Sequence, residues 1–204
     1  MKNKFSILIA ALAWFAILTQ YYLMVENRIT SITETTIRFF SFFTILTNSL
    51  LALYFTLITF KTRPAYLSIL DRPGTLTAIT VYITIVGLVY QIILRPLWDP
   101  KGTQMIVDEL LHSIIPLLAI LFWFFYENKS SVKYAQIGQW LYYPLIYLLY
   151  ILIRGHFSNF YPYPFVHVGN LGLLKVSINS LCLIAVFIVI SALYIKIGKI
   201  VKRT

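Results

Sequence analysis

The chain is short of charge, cysteine and histidine, and each shortage removes a class of protein. Only 12% of its 204 residues are charged, about half of what a soluble domain carries. The single cysteine, Cys182, lies inside an apolar run, so no disulfide is implied. The three histidines, His112, His156 and His167, share no short ligand spacing. No metal site and no cofactor are therefore expected. Acids number 7 against 17 lysines and arginines, a net charge of +10. That balance would suit nucleic acid, but the basic residues stand in the breaks between apolar runs, so no nucleic-acid partner is expected.

What the chain has in abundance is hydrocarbon. It is 59% hydrophobic, with a mean hydropathy of +0.80. Six apolar runs have the length needed to cross a bilayer as helix, over about 5–25, 37–60, 76–95, 105–126, 135–153 and 172–197. Turn-forming stretches such as "TRPAY", "DRPG", "WDPKG", "ENKSS" and "YPYPF" separate them. In lipid each segment must satisfy its own backbone, and the runs are too long and too continuously apolar for barrel strands, so the expected fold is all-α. The first run follows a basic "MKNK", like a signal peptide, but it is longer than one and lacks a clear small-residue cleavage site. It is read as a span. No internal repeat or second domain is visible, so residues 1–204 read as one six-span membrane domain.

Six spans place both termini on one side. That side collects Lys2, Lys4, Lys61, Arg63, Arg72, Lys129, Lys133, Lys196, Lys199, Lys202 and Arg203; the other has Arg28, Arg38, Arg95, Lys101, Arg154 and Lys175. The bias predicts cytoplasmic termini. The basic tail "KIGKIVKR" is expected to meet anionic lipid head groups.

On that topology the spans over 37–60 and 105–126 both run inward. His112, in "DELLHSIIP", then lies about 12 Å below the start of its helix at Gln104, and Thr44, in "FFTILTN", about 10 Å below Ile37. An ionisable residue at such depth marks function more often than packing. Asp108 and Glu109 stand at i−4 and i−3 from His112 and share its face, so either carboxylate is expected to orient the imidazole; the smaller angular offset favours Asp108. Pro116 has no N–H for the His112 carbonyl. Thr44, Thr47 and Asn48 form a polar stripe that must face protein or a cavity, with Asn48 either a donor to an oxyanion or a clamp between helices. Arg38, Arg95 and Arg154 fall near the outer boundary, where they snorkel or together hold a carboxylate or phosphate head group. The aromatic residues of the loop over 154–170 read as an interfacial belt.

These patches, "FFTILTN", "LHSIIP" and "YPYPF" followed by "VHVGN", resemble the androgen-inducible membrane threonine hydrolases, which cleave fatty acid esters of hydroxy fatty acids, and a group of bacterial six-span proteins similar in length. The resemblance implies that Thr44 is a nucleophile and His112 its catalytic partner. Tyr163, Pro164 and Phe165 match a loop motif to which it attaches no role. The animal proteins carry an acid where Thr47 stands here. The chemistry so implied is cleavage of a membrane lipid or fatty acyl ester through an acyl-Thr intermediate, in a bacterial inner membrane; the topology and the depth of Thr44 and His112 put the site towards the outer leaflet. With an alcohol acceptor the same pair makes an acyltransferase. The rival readings are a transporter whose pathway Thr44, Asn48 and His112 line, and a sensor with His112 as the titrating group.

Overall fold

The computed structural model describes residues 1–60, 70 and 72–201, and within them the chain is helical, without strands. The helices are α1 (Lys2–Glu26), α2 (Ile32–Phe39), α3 (Phe43–Phe60), α4 (Thr75–Val89), α5 (Thr103–Glu109), α6 (Ile115–Tyr126), α7 (Ile137–Trp140), α8 (Tyr142–Ser158) and α9 (Val168–Val201). Among the described residues, six stretches are long and apolar enough to cross a membrane: Lys2–Glu26, Phe43–Phe60, Thr75–Leu97, Thr103–Tyr126, Tyr134–Ser158 and Val168–Val201. The chain is thus an integral membrane protein by length and composition. Lys61, Arg63, Lys202 and Arg203, which entered the charge comparison, lie outside the described residues.

The third stretch is the centre of the bundle. Its apolar window is 67% buried, more than any other, and α4 packs against α3, α6 and α9. Hydroxyls tie it to its neighbours where lipid offers no competing partner. Trp123 Nε1 donates to Thr77 Oγ1 at 3.0 Å, Thr84 pairs with Tyr194 at 2.7 Å, and Tyr82 donates to the Trp140 carbonyl at 2.6 Å. Large apolar side chains such as Phe15, Leu18, Leu149, Leu181 and Val189 stay exposed, the outward face expected of a bundle solvated by hydrocarbon.

Three departures from regular helix shape the bundle end that lies away from the chain termini. The second span starts at Phe43, not near 37, because residues 32–39 form a separate short helix. Ser31 caps it by accepting from Glu34 N at 3.2 Å. The chain breaks at 40–42, where the carbonyl of Ser41 accepts from Tyr147 of α8 at 2.8 Å. Next, the third and fourth stretches each carry one wide π turn, at Tyr90–Leu94 and Leu110–Ile114, and each turn is closely followed by a proline, Pro96 or Pro116. Finally, the last stretch begins at Val168 rather than 172, and Gly172 is where it kinks, with φ 75° and ψ 158°; only glycine takes that backbone freely.

Candidate functional site

The break at 40–42 converts a mid-span threonine into a helix N-terminal one. Thr44 is the second residue of α3, so its N–H has no partner within the helix. It donates instead to the phenol oxygen of Tyr163 at 3.3 Å. The Thr44 hydroxyl lies 3.5 Å from the same phenol and 3.3 Å from His112 Nε2.

His112 is held from both sides of its ring. Its Nδ1 lies 2.9 Å from the backbone carbonyl of Asp108. A carbonyl only accepts, so Nδ1 carries the proton and Nε2 presents its lone pair to the Thr44 hydroxyl. The ring also stacks on Tyr90 of the facing π turn, with centroids 4.0 Å apart and planes 11° apart. The π turn beneath the histidine redistributes carbonyls. Ile115 N–H reaches back to Leu110 O, and Pro116 has no N–H to give to Leu111 or His112. The Leu111 carbonyl takes Asn48 Nδ2 at 3.4 Å. The His112 carbonyl faces Gly87 of α4, where a Cβ would sit 3.0 Å away. A side chain there would push the two helices apart.

This geometry revises several expectations. Neither acid orients His112 with its carboxylate. Asp108 Oδ2 accepts from Trp98 Nε1 at 2.7 Å and Oδ1 from Gln104 Nε2 at 3.2 Å. Glu109 bridges Arg95 at 2.6 Å and accepts from Ser113 at 2.6 Å. The residue at i−4 does position the imidazole, but through its main chain. A carboxylate so near the bundle end gains more from an indole, an amide or a guanidinium at its rim than from a buried ring. Asn48 is a clamp: both hydrogens of its amide are engaged, on Thr44 O at 2.9 Å and on Leu111 O. The free atom, Oδ1, is an acceptor and would repel an oxyanion. Thr47 turns to Tyr143 of α8 at 3.2 Å. Thr44, Thr47 and Asn48 are 8%, 0% and 0% exposed, so the stripe faces protein.

The three arginines do not form one patch. Arg38 and Arg154 both grip Glu34 at 2.8 Å, and both guanidinium groups face the ring of Phe160, at 4.6 and 5.0 Å. Arg95 belongs to the separate pair with Glu109. His156 and His167 stand apart from His112; His167 packs on Tyr161 and accepts from Asn170 N at 3.3 Å.

Tyr163 and Tyr90 are the participants that sequence reasoning left without a role. Tyr163 sits in "YPYPF", where the sequence leads one to expect an interfacial belt, yet the loop folds back into the bundle. The Tyr161 ring fills the space where a side chain at Gly155 would stand, Tyr163 stacks on Phe165 at 5.2 Å, and Asn179 of α9 holds the Phe165 carbonyl at 2.9 Å. Burial raises the Tyr163 phenol above its ordinary pKa against the opposing hydrogen bonds from Thr44, so it stays a donor. The available signal was a tyrosine flanked by prolines, a rigid turn rather than a loose belt.

Beside Thr44 opens an apolar cleft between α4, α8 and α9, with Phe43, Val86, Leu148, Ser180 and Phe187 among its walls. Comparison with protein-family models, with curated proteins and with solved structures returned no match.

Proposed function

We propose that the protein is a membrane threonine hydrolase that cleaves a lipid or fatty acyl ester through an acyl-Thr44 intermediate. One observation carries this reading: a threonine hydroxyl at a helix N-terminus, 3.3 Å from the unprotonated nitrogen of a histidine whose other nitrogen is bonded to a carbonyl. That is the arrangement of an activated nucleophile, its base and the group that orients the base.

The steps follow from the proton positions. His112 Nε2 takes the Thr44 proton as Oγ1 bonds to the ester carbonyl carbon. The carbonyl oxygen becomes an oxyanion, stabilised by the Thr44 N–H and by the Tyr163 hydroxyl swung onto it. The C–O bond to the alcohol breaks, and the proton on Nε2 goes to the departing oxygen. Water then enters, gives a proton to Nε2 and bonds to the acyl carbon. The Thr44–acyl bond breaks, Oγ1 recovers its proton from Nε2, and a carboxylic acid leaves. The Asp108 carbonyl stabilises the imidazolium in both halves.

The site lies at the bundle end opposite the termini. The excess of lysine and arginine on the terminal side supports an orientation with both termini cytoplasmic and Thr44 towards the outer leaflet of a bacterial inner membrane. Lys196 and Lys199 then meet anionic head groups on the cytoplasmic face. Single cysteines at residues 28, 99 and 160, in a Cys182→Ala background, are expected to react with an impermeant thiol reagent on intact cells. Labelling only after lysis would reverse the orientation.

A fluorophosphonate probe on the purified full chain tests the chemistry. Label is expected on Thr44, and Thr44→Ala and His112→Ala are each expected to abolish both labelling and esterase turnover, with Thr44→Ser keeping part of each. Wild-type turnover in Thr44→Ala removes the acyl-Thr mechanism.

A further inference from the structure

The cleft beside Thr44 has a direction, and the direction divides the substrate. We infer that the acyl chain lies in the cleft between α4, α8 and α9, and that the alcohol leaves on the other side of Thr44, past His112 and the Arg95–Glu109 pair. This rests on the reading of Thr44 as nucleophile.

Among the described residues, no charged side chain lines the cleft. Four of its lining residues carry a hydroxyl: Thr44, Tyr147, Tyr163 and Ser180. Two of these are spent on main-chain carbonyls, Tyr147 on Ser41 at 2.8 Å and Ser180 on Val176 at 2.8 Å. The polar chemistry is therefore confined to the Thr44–Tyr163 mouth. A head group pushed further in would lose its hydration for nothing, whereas a hydrocarbon chain loses nothing. On α4 and its π turn the lining runs from Ile85 to Leu94, about 13 Å of helix rise. That suits an extended acyl chain and is far more than an acetyl group needs.

His112 is not part of the cleft wall. It approaches Thr44 from the π turn between α5 and α6, stacked on Tyr90, and its helix neighbours Glu109 and Ser113 join Arg95 and Gln91 in a polar chain beside that turn. Gln91 donates to Ser113 at 2.8 Å and Arg95 to Gln91 at 2.7 Å, and Arg95 is half exposed. The leaving oxygen takes its proton from His112 Nε2, so it must face the histidine. With the acyl carbon bonded to Thr44 and the alcohol towards His112, the chain attached to that carbon points away from His112, which is where the cleft lies. Polar surroundings receive the alcohol and apolar walls receive the chain.

Two ester series on the purified full chain test this, one varying the acyl chain from butyryl to palmitoyl on a fixed alcohol, the other varying the alcohol on a fixed butyryl group. Wild-type kcat/KM is expected to rise about fourfold per methylene over the first additions to the acyl chain and to respond weakly to the alcohol. Ser180→Leu and Ile184→Phe, which narrow the cleft, are expected to lower the palmitoyl-to-butyryl ratio about tenfold or more while the alcohol series keeps its order. Variants that reorder the alcohol series instead, or neither series, overturn the assignment.

A palmitate analogue carrying a diazirine near its methyl end provides a readout free of turnover. Photolysis is expected to mark cleft residues of α4, α8 or α9, and less so in Ile184→Phe. If this label lands in the cleft while Thr44→Ala hydrolyses esters like wild type, or while wild type hydrolyses none, the acyl site stands and the hydrolase reading falls. If Thr44 proves essential and the label falls only on lipid-facing surface, the hydrolase reading stands and the acyl site falls.

Discussion

Tyr90 and His112 lie ring on ring, 4.0 Å between centroids, and each belongs to a π turn in its own span. The wide turns bring the two rings into register across the interface between the third and fourth spans. The stack blocks rotation of the imidazole about the one hydrogen bond that holds Nδ1. Tyr90→Phe keeps the ring and is expected to keep turnover. Tyr90→Leu frees the imidazole and is expected to lower kcat about ten- to hundredfold with little change in KM. Equal kcat in the two variants would remove the positioning role.

Tyr163→Phe deletes one hydroxyl at a buried position and keeps the ring stacked on Phe165. If that hydroxyl holds the oxyanion, kcat is expected to fall about 10²-fold, with labelling by the fluorophosphonate slowed in step. Unchanged kcat would leave Tyr163 as a packing residue of the folded-back loop.

With His112 oriented by a main-chain carbonyl, the acids beside it are structural. Asp108→Asn and Glu109→Gln are each expected to stay within about threefold of wild-type kcat. Asp108→Asn is also expected to lower stability by about 1–3 kcal/mol, because the NH2 that replaces one carboxylate oxygen would face a donor, Trp98 Nε1 or Gln104 Nε2, instead of accepting from it. A thermal melt in detergent, run beside the kinetics, separates the two effects. Loss of kcat in Asp108→Asn at unchanged Tm would return the carboxylate to the catalytic machinery.

Glu34 lies outside the spans and carries a pH signature. The hydrogen bond from Arg38 holds its carboxyl below the ordinary value of 4.5; burial works against this, and Arg154 adds to the lowering. A folded pKa below the unfolded one means that the stabilisation is complete above the unfolded value and fades as pH falls through the folded one. The Tm of wild type is therefore expected to exceed that of Glu34→Gln at neutral pH, with the gap closing below about pH 4.5. A gap independent of pH would show that the triad adds shape rather than charge.

Hydropathy by itself determined that the chain is an all-helical bundle of six spans, because burial in hydrocarbon is a property of each segment and can be summed along the chain. It also drew the eye to His112 and Thr44, as polar groups that lipid would not tolerate unpartnered. Four features were decided by tertiary structure. The start of α3 at Phe43 depends on Tyr147 reaching the Ser41 carbonyl from α8, which no local pattern records. The partner of His112 Nδ1 is a carbonyl because Trp98 and Gln104 claim the Asp108 carboxylate; spacing on a helix wheel sees only the carboxylate. The role of Asn48 was set by which carbonyl the π turn and Pro116 left open. Tyr163 enters the site because Gly155 leaves room for Tyr161 and Asn179 pins the loop. In each, several partners were open to the same side chain or carbonyl, and the choice among them is made by three-dimensional geometry and not by residue type.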